Sequence, residues 1–285
     1  MSKILITGAT GTIGSHLVRA LQARGLEFSA MTSQAGKAVA DVPTVFGDFA
    51  RPETLAEAFR GVDTLFLLLP LHPDAPQYGR AAIAAAQAAG VRHVVRSSGA
   101  GADADSPFAI ARMHGEIDRL LQQSGLGWTL LRPTSFMQNH LTYNLHTIQN
   151  GAYYAPHGNG ATSLVDVEDI AECAAAVLAD PAAHQGRSYT LTGGEALDDA
   201  AQMAAIAAAT GRPAVYVDVP ESAAVEAMQG YGMPAVIIEW LMSLNAVIKA
   251  GYAAGISDDV RLLTGHPPRS YADFVRRHAS RWQPA

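Results

Sequence analysis

The segment that most limits how this chain can fold lies at its start. An apolar run at residues 3–7 passes directly into Gly8-Ala9-Thr10-Gly11-Thr12-Ile13-Gly14, and an apolar-periodic stretch continues to about Arg24. Glycines at that spacing allow a tight turn, a close approach of backbone to a ligand, and close packing of a helix on a strand. The helix that opens there offers N–H donors and the positive end of its dipole to an anion. A strand, loop and helix of this kind begin a βαβ unit that cradles the pyrophosphate of a dinucleotide.

The rest of the chain repeats the alternation. Strands are predicted at 27–32, 44–46, 63–69, 93–97 and 128–132, and helices at 52–59, 77–89 and 108–124, with Gly90 and Gly125 as stops. This order predicts a doubly wound parallel sheet. The unbroken run Leu65-Phe66-Leu67-Leu68-Leu69 suits a strand covered on both faces. After Pro133 the pattern loosens into loops and a helix, a helix at 169–178, a late strand at 188–192, an alanine-rich helix at 198–210 and a glycine-punctuated apolar stretch at 221–256. The expected fold is α/β, a Rossmann-like sheet with a smaller, mainly helical substrate-covering region. The nucleotide-binding domain is expected at 1–154, rejoined by the late strand, and the substrate-binding region at 155–285.

Composition narrows the classes. Of 285 residues, 49% are hydrophobic and only 16% charged, against roughly 25% charged in an average domain, which excludes a largely disordered chain. A net charge of −6 argues against a broad nucleic-acid surface. The lone Cys173 excludes an intramolecular disulfide framework and a multi-cysteine zinc site, and the histidines show no metal-binding spacing, so no metal is expected. No apolar run approaches the ~20 residues needed to span a bilayer, and the first residues carry no leader-like apolar region. A soluble cytoplasmic protein with a small hydrophobic substrate, and neither nucleic acid nor membrane as partner, is the expectation.

Cofactor choice is read at the end of the second strand. An acid there would bind the ribose hydroxyls of NAD, but this chain has Met31-Thr32-Ser33-Gln34 with Lys37 close behind. Thr32, Ser33 and Lys37 suit a 2′-phosphate, so NADPH is the expected cofactor, with NADH possible. Lys37 is equally well an ordinary solvated lysine. Asp48 and Phe49, after the third strand, either approach the adenine or close a turn.

These pieces together resemble the atypical short-chain dehydrogenases of the NmrA-like group. The resemblance rests on GATGTIG at 8–14, GDF at 47–49, LFLLLP at 65–70, HVVRSSGAG at 93–101, SGLGWTLLRPTSFMQN at 124–139, VDVEDIA at 165–171 and LTGHPPRSYADFV at 263–275. The group includes triphenylmethane-dye reductases, quinone reductases, isoflavone-reductase-like enzymes, clavine-alkaloid dehydrogenases and dinucleotide-binding regulators. It implies the fold and a nicotinamide cofactor bound near Leu69, Pro70, Ser97, Arg112 and Pro133. It leaves the reaction open, because fold alone does not give function.

One departure from the wider family bears on mechanism. Ordinary short-chain dehydrogenases carry Tyr-x-x-x-Lys on the helix after strand five, where the tyrosine donates a proton and the lysine lowers its pKa. Placed on this chain, the pattern falls on Phe108 and Arg112. Phe108 has no proton to give, and the guanidinium of Arg112 suits ribose or phosphate better than acid catalysis. Ser97 and Ser98 stand where the family places its serine. Candidate catalytic residues are Ser97, Arg112, His72 after strand four, and Tyr143 after strand six; His140, Tyr153, Tyr154 and His157 are further proton donors. His114 lies two positions past Arg112, ~200° around the helix, and is expected to face away if Arg112 faces in. Ser98, Phe108, Phe136, Asn139 and Trp240 are expected to line the substrate. Arg132 is expected to anchor structure by pairing with Glu116, and Asp166, Glu168 and Asp169 to cap the helix that follows. The expected function is NAD(P)H-dependent reduction of a flat, hydrophobic conjugated carbonyl, quinone or polycyclic ketone without the usual tyrosine. The alternative is a dinucleotide-sensing regulator that binds a protein partner.

Overall fold

In the computed structural model, which describes residues 3–39 and 41–283, the first apolar run enters a central sheet at once. The strands are β1 (Ile4–Ile6), β2 (Phe28–Thr32), β3 (Thr44–Phe46), β4 (Thr64–Leu67), β5 (His93–Ser97), β6 (Gly127–Pro133) and a late strand, Arg187–Leu191. Their order is β3-β2-β1-β4-β5-β6 and then the late strand. Pairings from β3 through to β6 are parallel, with Ile6 between Ala30 and Phe66 and Ser97 opposite Leu131. This is the doubly wound Rossmann-like order, reversing direction between β1 and β4, where such sheets bind ligands at their carboxyl edge.

Burial explains why these segments are strands. Leu5, Ile6, Leu65, Phe66, Leu67, Val94, Val95, Leu130 and Leu131 are all buried, as expected where helices cover both faces. Helix α1 (Thr12–Ala23) turns Ile13, Leu17, Val18 and Leu21 inward at helical spacing. Helices α2 (Leu55–Ala58), α3 (Ala75–Ala88) and α4 (Ala109–Gln122) follow. The Thr7 hydroxyl accepts the Leu68 N–H at 2.8 Å and lies 3.0 Å from the Leu68 carbonyl, so the chain leaving β1 is tied to the chain leaving β4.

Packing divides the chain into two compact units that interleave in sequence, and not at one point near residue 154. The first holds the segments up to Pro107, Ala111–Arg132 and Ile170–Thr190; the second holds Phe108–Ile110, Pro133–Asp169 and everything from Leu191 onward. The reason is the late strand: as expected from the sequence, it belongs to the central sheet and draws its neighbouring residues into the first unit.

The second unit is mainly helical. It contains Asp199–Thr210, Glu221–Gly230, Ala235–Lys249, Asp259–Thr264 and Tyr271–His278. Two small ladders accompany them, Ala152–Ala155 parallel to Val215–Asp218 and Ala161–Thr162 antiparallel to Leu197–Asp198. Met137, Met203, Ile206, Tyr271, Phe274 and Trp282 form its core. Asp166 caps the helix Val167–Ala179 by accepting the Glu168 N–H at 2.9 Å, and it is also held by Gln138 and Arg277. Among the described residues no helix is long and apolar enough to cross a membrane.

Candidate functional site

Two of the three loop glycines, Gly8 and Gly14, are required, for different reasons. Gly8 has a φ of +68°, which side chains rarely adopt, and a Cβ there would press on Leu68 at 2.9 Å. Gly11 is the extended cap of α1, its N–H donating to the Gly8 carbonyl at 2.9 Å. At Gly14 a Cβ would overlap the Gly8 carbonyl. The helix has no side-chain cap and no acid in its first turn. The Ser15 N–H bonds the Gly11 carbonyl at 2.9 Å, so the amides before it project from the helix end. Thr10, Gly11 and Thr12 are exposed while Ile13 and Gly14 are buried. The loop is thus an open backbone cradle for an anion, and the fit to a dinucleotide pyrophosphate is good.

The next strand ends supply a mixed polar and aromatic edge. Thr32 ends β2 and its Oγ accepts the Gln34 N–H at 3.2 Å, while Ser33 and Lys37 are exposed. Asp48 accepts the Ala50 N–H and Arg51 Nε, both at 3.0 Å, so its carboxylate closes a turn. Phe49 stacks on Tyr78 at 6.2 Å, and His72 stacks on Tyr78 at 5.2 Å. The Nδ1 of His72 accepts the Asp74 N–H at 3.2 Å. Leu69 is partly buried and packs near Gly79, and Pro70 is exposed.

The end of β5 carries a buried ionic cluster. Arg96 and Asp118 are each 1% exposed and form an ion pair. Asp118 also accepts the Ser98 hydroxyl at 3.0 Å and Arg132 at 3.1 and 2.9 Å. Two expectations change here. The partner of Arg132 is Asp118, because Glu116 points to solvent on the other side of α4. The Ser98 hydroxyl, expected to meet substrate, is committed to Asp118. Ser97 is buried at the strand end.

Helix α4 places Arg112 and His114 against different neighbours. Arg112 donates to the carbonyls of Ser106 at 2.8 Å and Pro107 at 3.4 Å. His114 instead faces the end of β5: a Cβ on Gly99 would lie 3.0 Å from its Cδ2 and 3.3 Å from its Nε2, and its Nδ1 is 3.3 Å from Arg96 Nη2. The ~200° separation holds: Arg112 reaches the carbonyls of the loop that leaves β5, and His114 lies against Gly99. Burial, reinforced by the charges of Arg96 and Arg132, holds the His114 pKa down to about 3. Burial also lowers that of Arg96, against the opposing pull of Asp118. A sequence signal for this cluster existed: a charged residue inside a strand with both faces covered must find a partner, and Arg96 stands in such a strand.

The remaining candidates belong to the second unit. Phe108 meets Tyr252 edge-on at 5.9 Å, and the Ile110 N–H donates to Ser243 at 2.9 Å. Phe136 bridges to Val165, the Asn139 carbonyl accepts the Asn144 N–H at 3.0 Å, and Pro133 and Trp240 are buried. Tyr143 is 88% exposed and Tyr154 is also exposed. His140 is buried against the Tyr271 hydroxyl at 2.8 Å, and burial lowers its pKa to about 4. Burial pushes the Tyr153 phenol far up. His157 is held between Asp199 at 2.7 Å and Asn245 at 3.0 Å. His140 and His157 are therefore tied into the packing of their own unit.

Comparison with known proteins agrees with the fold and the loop. The profile of a family described as NAD(P)H-binding matches residues 8–181. An NAD(P)H azoreductase of Xenophilus azovorans is 42% identical, the match covering 97% of this chain and 98% of that one. A (4-alkanoyl-5-oxo-2,5-dihydrofuran-3-yl)methyl phosphate reductase of Streptomyces griseus is 33% identical over 99% of both. The NADPH complex of an Escherichia coli NADPH-dependent quinone oxidoreductase superposes with a TM-score of 0.86 at 27% identity, covering 96% of this chain and 99% of that one.

Proposed function

The chain belongs to the NAD(P)H-binding family and is an NAD(P)H-dependent oxidoreductase, and from that premise we propose that it reduces flat, hydrophobic, conjugated acceptors: quinones, conjugated carbonyls or azo compounds. The observation that carries this reading is the pairing of an intact dinucleotide cradle at Gly8, Gly11 and Gly14 with a phenylalanine, Phe108, where the usual pattern puts its acid. Conjugated acceptors spread the incoming electrons over their π system and need no strong enzymic acid. The relatives named for azo, quinone and unsaturated-lactone reduction support the same class.

When bound, the reduced cofactor supplies a hydride. The residues of this chain that would hold it follow from the strand ends. Backbone amides of Thr10, Thr12, Ile13 and Gly14 would bind the pyrophosphate, while the Gly11 N–H holds the loop closed on the Gly8 carbonyl. Thr32, Ser33 and Lys37 would meet the 2′-phosphate, and no acid stands at the end of β2. Leu69, Pro70 and Ser97 would flank the nicotinamide, as the family resemblance implies.

The test is anaerobic consumption of NADPH and NADH, followed by nicotinamide absorbance, with quinones, azo dyes, triphenylmethane dyes and conjugated enones in turn. Consumption with one or more of these classes, faster with NADPH, is the expected result. Binding of the dinucleotide without consumption in any of them overturns the reading in favour of a sensor.

A further inference from the structure

The cluster at the end of β5 fixes more than charge. Arginine has N–H donors and no acceptor. The approach of Arg96 Nη2 to His114 Nδ1 at 3.3 Å therefore requires a lone pair on Nδ1. The proton of the neutral ring then sits on Nε2, the atom beside Gly99. Arg96 is itself immobilised, since it is 1% exposed and paired with Asp118, which Arg132 and Ser98 also hold. Its Nε is buried without a hydrogen-bond partner, the one such side-chain atom among the described residues. An orphaned buried donor is costly, and here it accompanies an orientation that sends the two terminal nitrogens to Asp118 and His114. Gly99 has no side chain to cover the exposed edge of the imidazole, and it lies just past the carboxyl end of β5, the edge at which such sheets bind ligands.

We infer that His114 is the hydrogen-bond donor that steadies charge developing on the acceptor during reduction, and that Arg96 is the positioning residue that fixes its tautomer. The inference rests on the reductase reading. The acceptor gains a hydride from bound NAD(P)H, which is oxidised; a bond to hydrogen forms on the acceptor and an electron pair moves onto its oxygen or nitrogen. The His114 Nε2–H donates a hydrogen bond to that atom and keeps its own proton. Water supplies the proton that completes the two-electron reduction. The charged groups facing the ring are Arg96 from β5 and Arg132 from β6, with Asp118 from α4 between them. Two cations beside the imidazole disfavour imidazolium, in agreement with its lowered pKa of about 3. A neutral histidine acting as an electrophile, its tautomer set by a neighbour, is an established catalytic device.

Two measurements test this on the full chain. The first is 15N NMR of the histidine rings without cofactor, from about pH 5 to about pH 8. The expected His114 signal is a neutral ring protonated on Nε2 throughout, becoming a tautomer mixture in Arg96→Lys, which keeps the charge but loses the planar fork. A ring protonated on Nδ1, or an imidazolium within that range, overturns the inference whether or not the Arg96 variant folds. The second compares His114→Leu, which has no donor, with His114→Gln, which has one. In His114→Leu kcat is expected to fall about 10- to 100-fold, in the range for loss of one preorganised donor, with KM for NADPH unchanged, and His114→Gln is expected to recover part of the loss. An unchanged kcat in a folded His114→Leu, beside an active wild type, overturns the donor role alone. A wild type that reduces no acceptor overturns the reductase reading and this inference with it.

Discussion

Gly14 and Gly8 meet backbone to backbone, with no room between them for even a methyl group. The first turn of α1 can therefore sit against the loop that leaves β1, and the amides at the helix end are aimed where an anion docks.

Gly14→Ala would displace that loop. Overpacking of this kind costs about 1–3 kcal/mol, to be read from urea unfolding. The affinity for NADPH, measured by titration calorimetry, is expected to fall at least about tenfold, since a tenfold loss needs only ~1.4 kcal/mol. An alanine variant that binds as tightly as the wild type would show that the loop has slack that the geometry denies.

Stability should fall on mild acidification. Burial lowers the pKa of His93 and of His140 to about 4, and that of His114 to about 3. In the unfolded chain each titrates near 6.5. Between those values the unfolded state holds more protons, so stability rises with pH and is lost as pH drops through that window. Thermal midpoints are expected to decline from about pH 7 to about pH 5. His93 gives a specific control: the Thr129 hydroxyl donates to the His184 carbonyl at 2.8 Å and so must accept from His93 Nε2 at 2.9 Å. His93→Gln keeps a donor there and does not titrate, so its midpoint should depend less steeply on pH.

The Asp118 carboxylate accepts from Arg96, Ser98 and Arg132 at once. Asp118→Asn would leave two guanidinium groups without a counter-charge, one of them fully buried. Breaking a buried pair in this way costs about 3–5 kcal/mol, and chemical denaturation should show a loss of that size. A loss within about 1 kcal/mol, the scale of exposed pairs, would mean that water reaches the cluster.

Cofactor preference is expected to follow the end of β2. Lys37→Glu places a negative charge beside the site proposed for the 2′-phosphate, and should weaken NADPH binding about tenfold or more while leaving NADH nearly unchanged, in line with ~1.4 kcal/mol per decade. Equal loss for both cofactors would assign Lys37 to the pyrophosphate or to the fold.

Much of this architecture was legible in the residues because it follows from local rules. The alternation of apolar runs and glycine-stopped helices predicts the sheet, and the strand expected at 188–192 is present as Arg187–Leu191. The contacts of α4 were not legible. Motif spacing says where Arg112 stands along the helix, but not that Arg112 reaches the Ser106 and Pro107 carbonyls or that His114 fits over Gly99. Both are contacts with the preceding loops that periodicity does not encode. The partner of Arg132 was missed for a related reason: Glu116 and Asp118 are two residues apart on one helix and face opposite ways.

The interleaved division of the chain has a consequence for biosynthesis. The strand Arg187–Leu191 completes the sheet beyond β6, so a nascent chain must be extended past that point before the first unit has its edge. Until then β6, rich in buried residues, presents unpaired backbone to whatever is nearby. A gene fragment stopped near residue 154 would freeze that moment, and its product is expected to collect in inclusion bodies. A fragment meant to carry the nucleotide-binding half alone must instead graft the late strand back on.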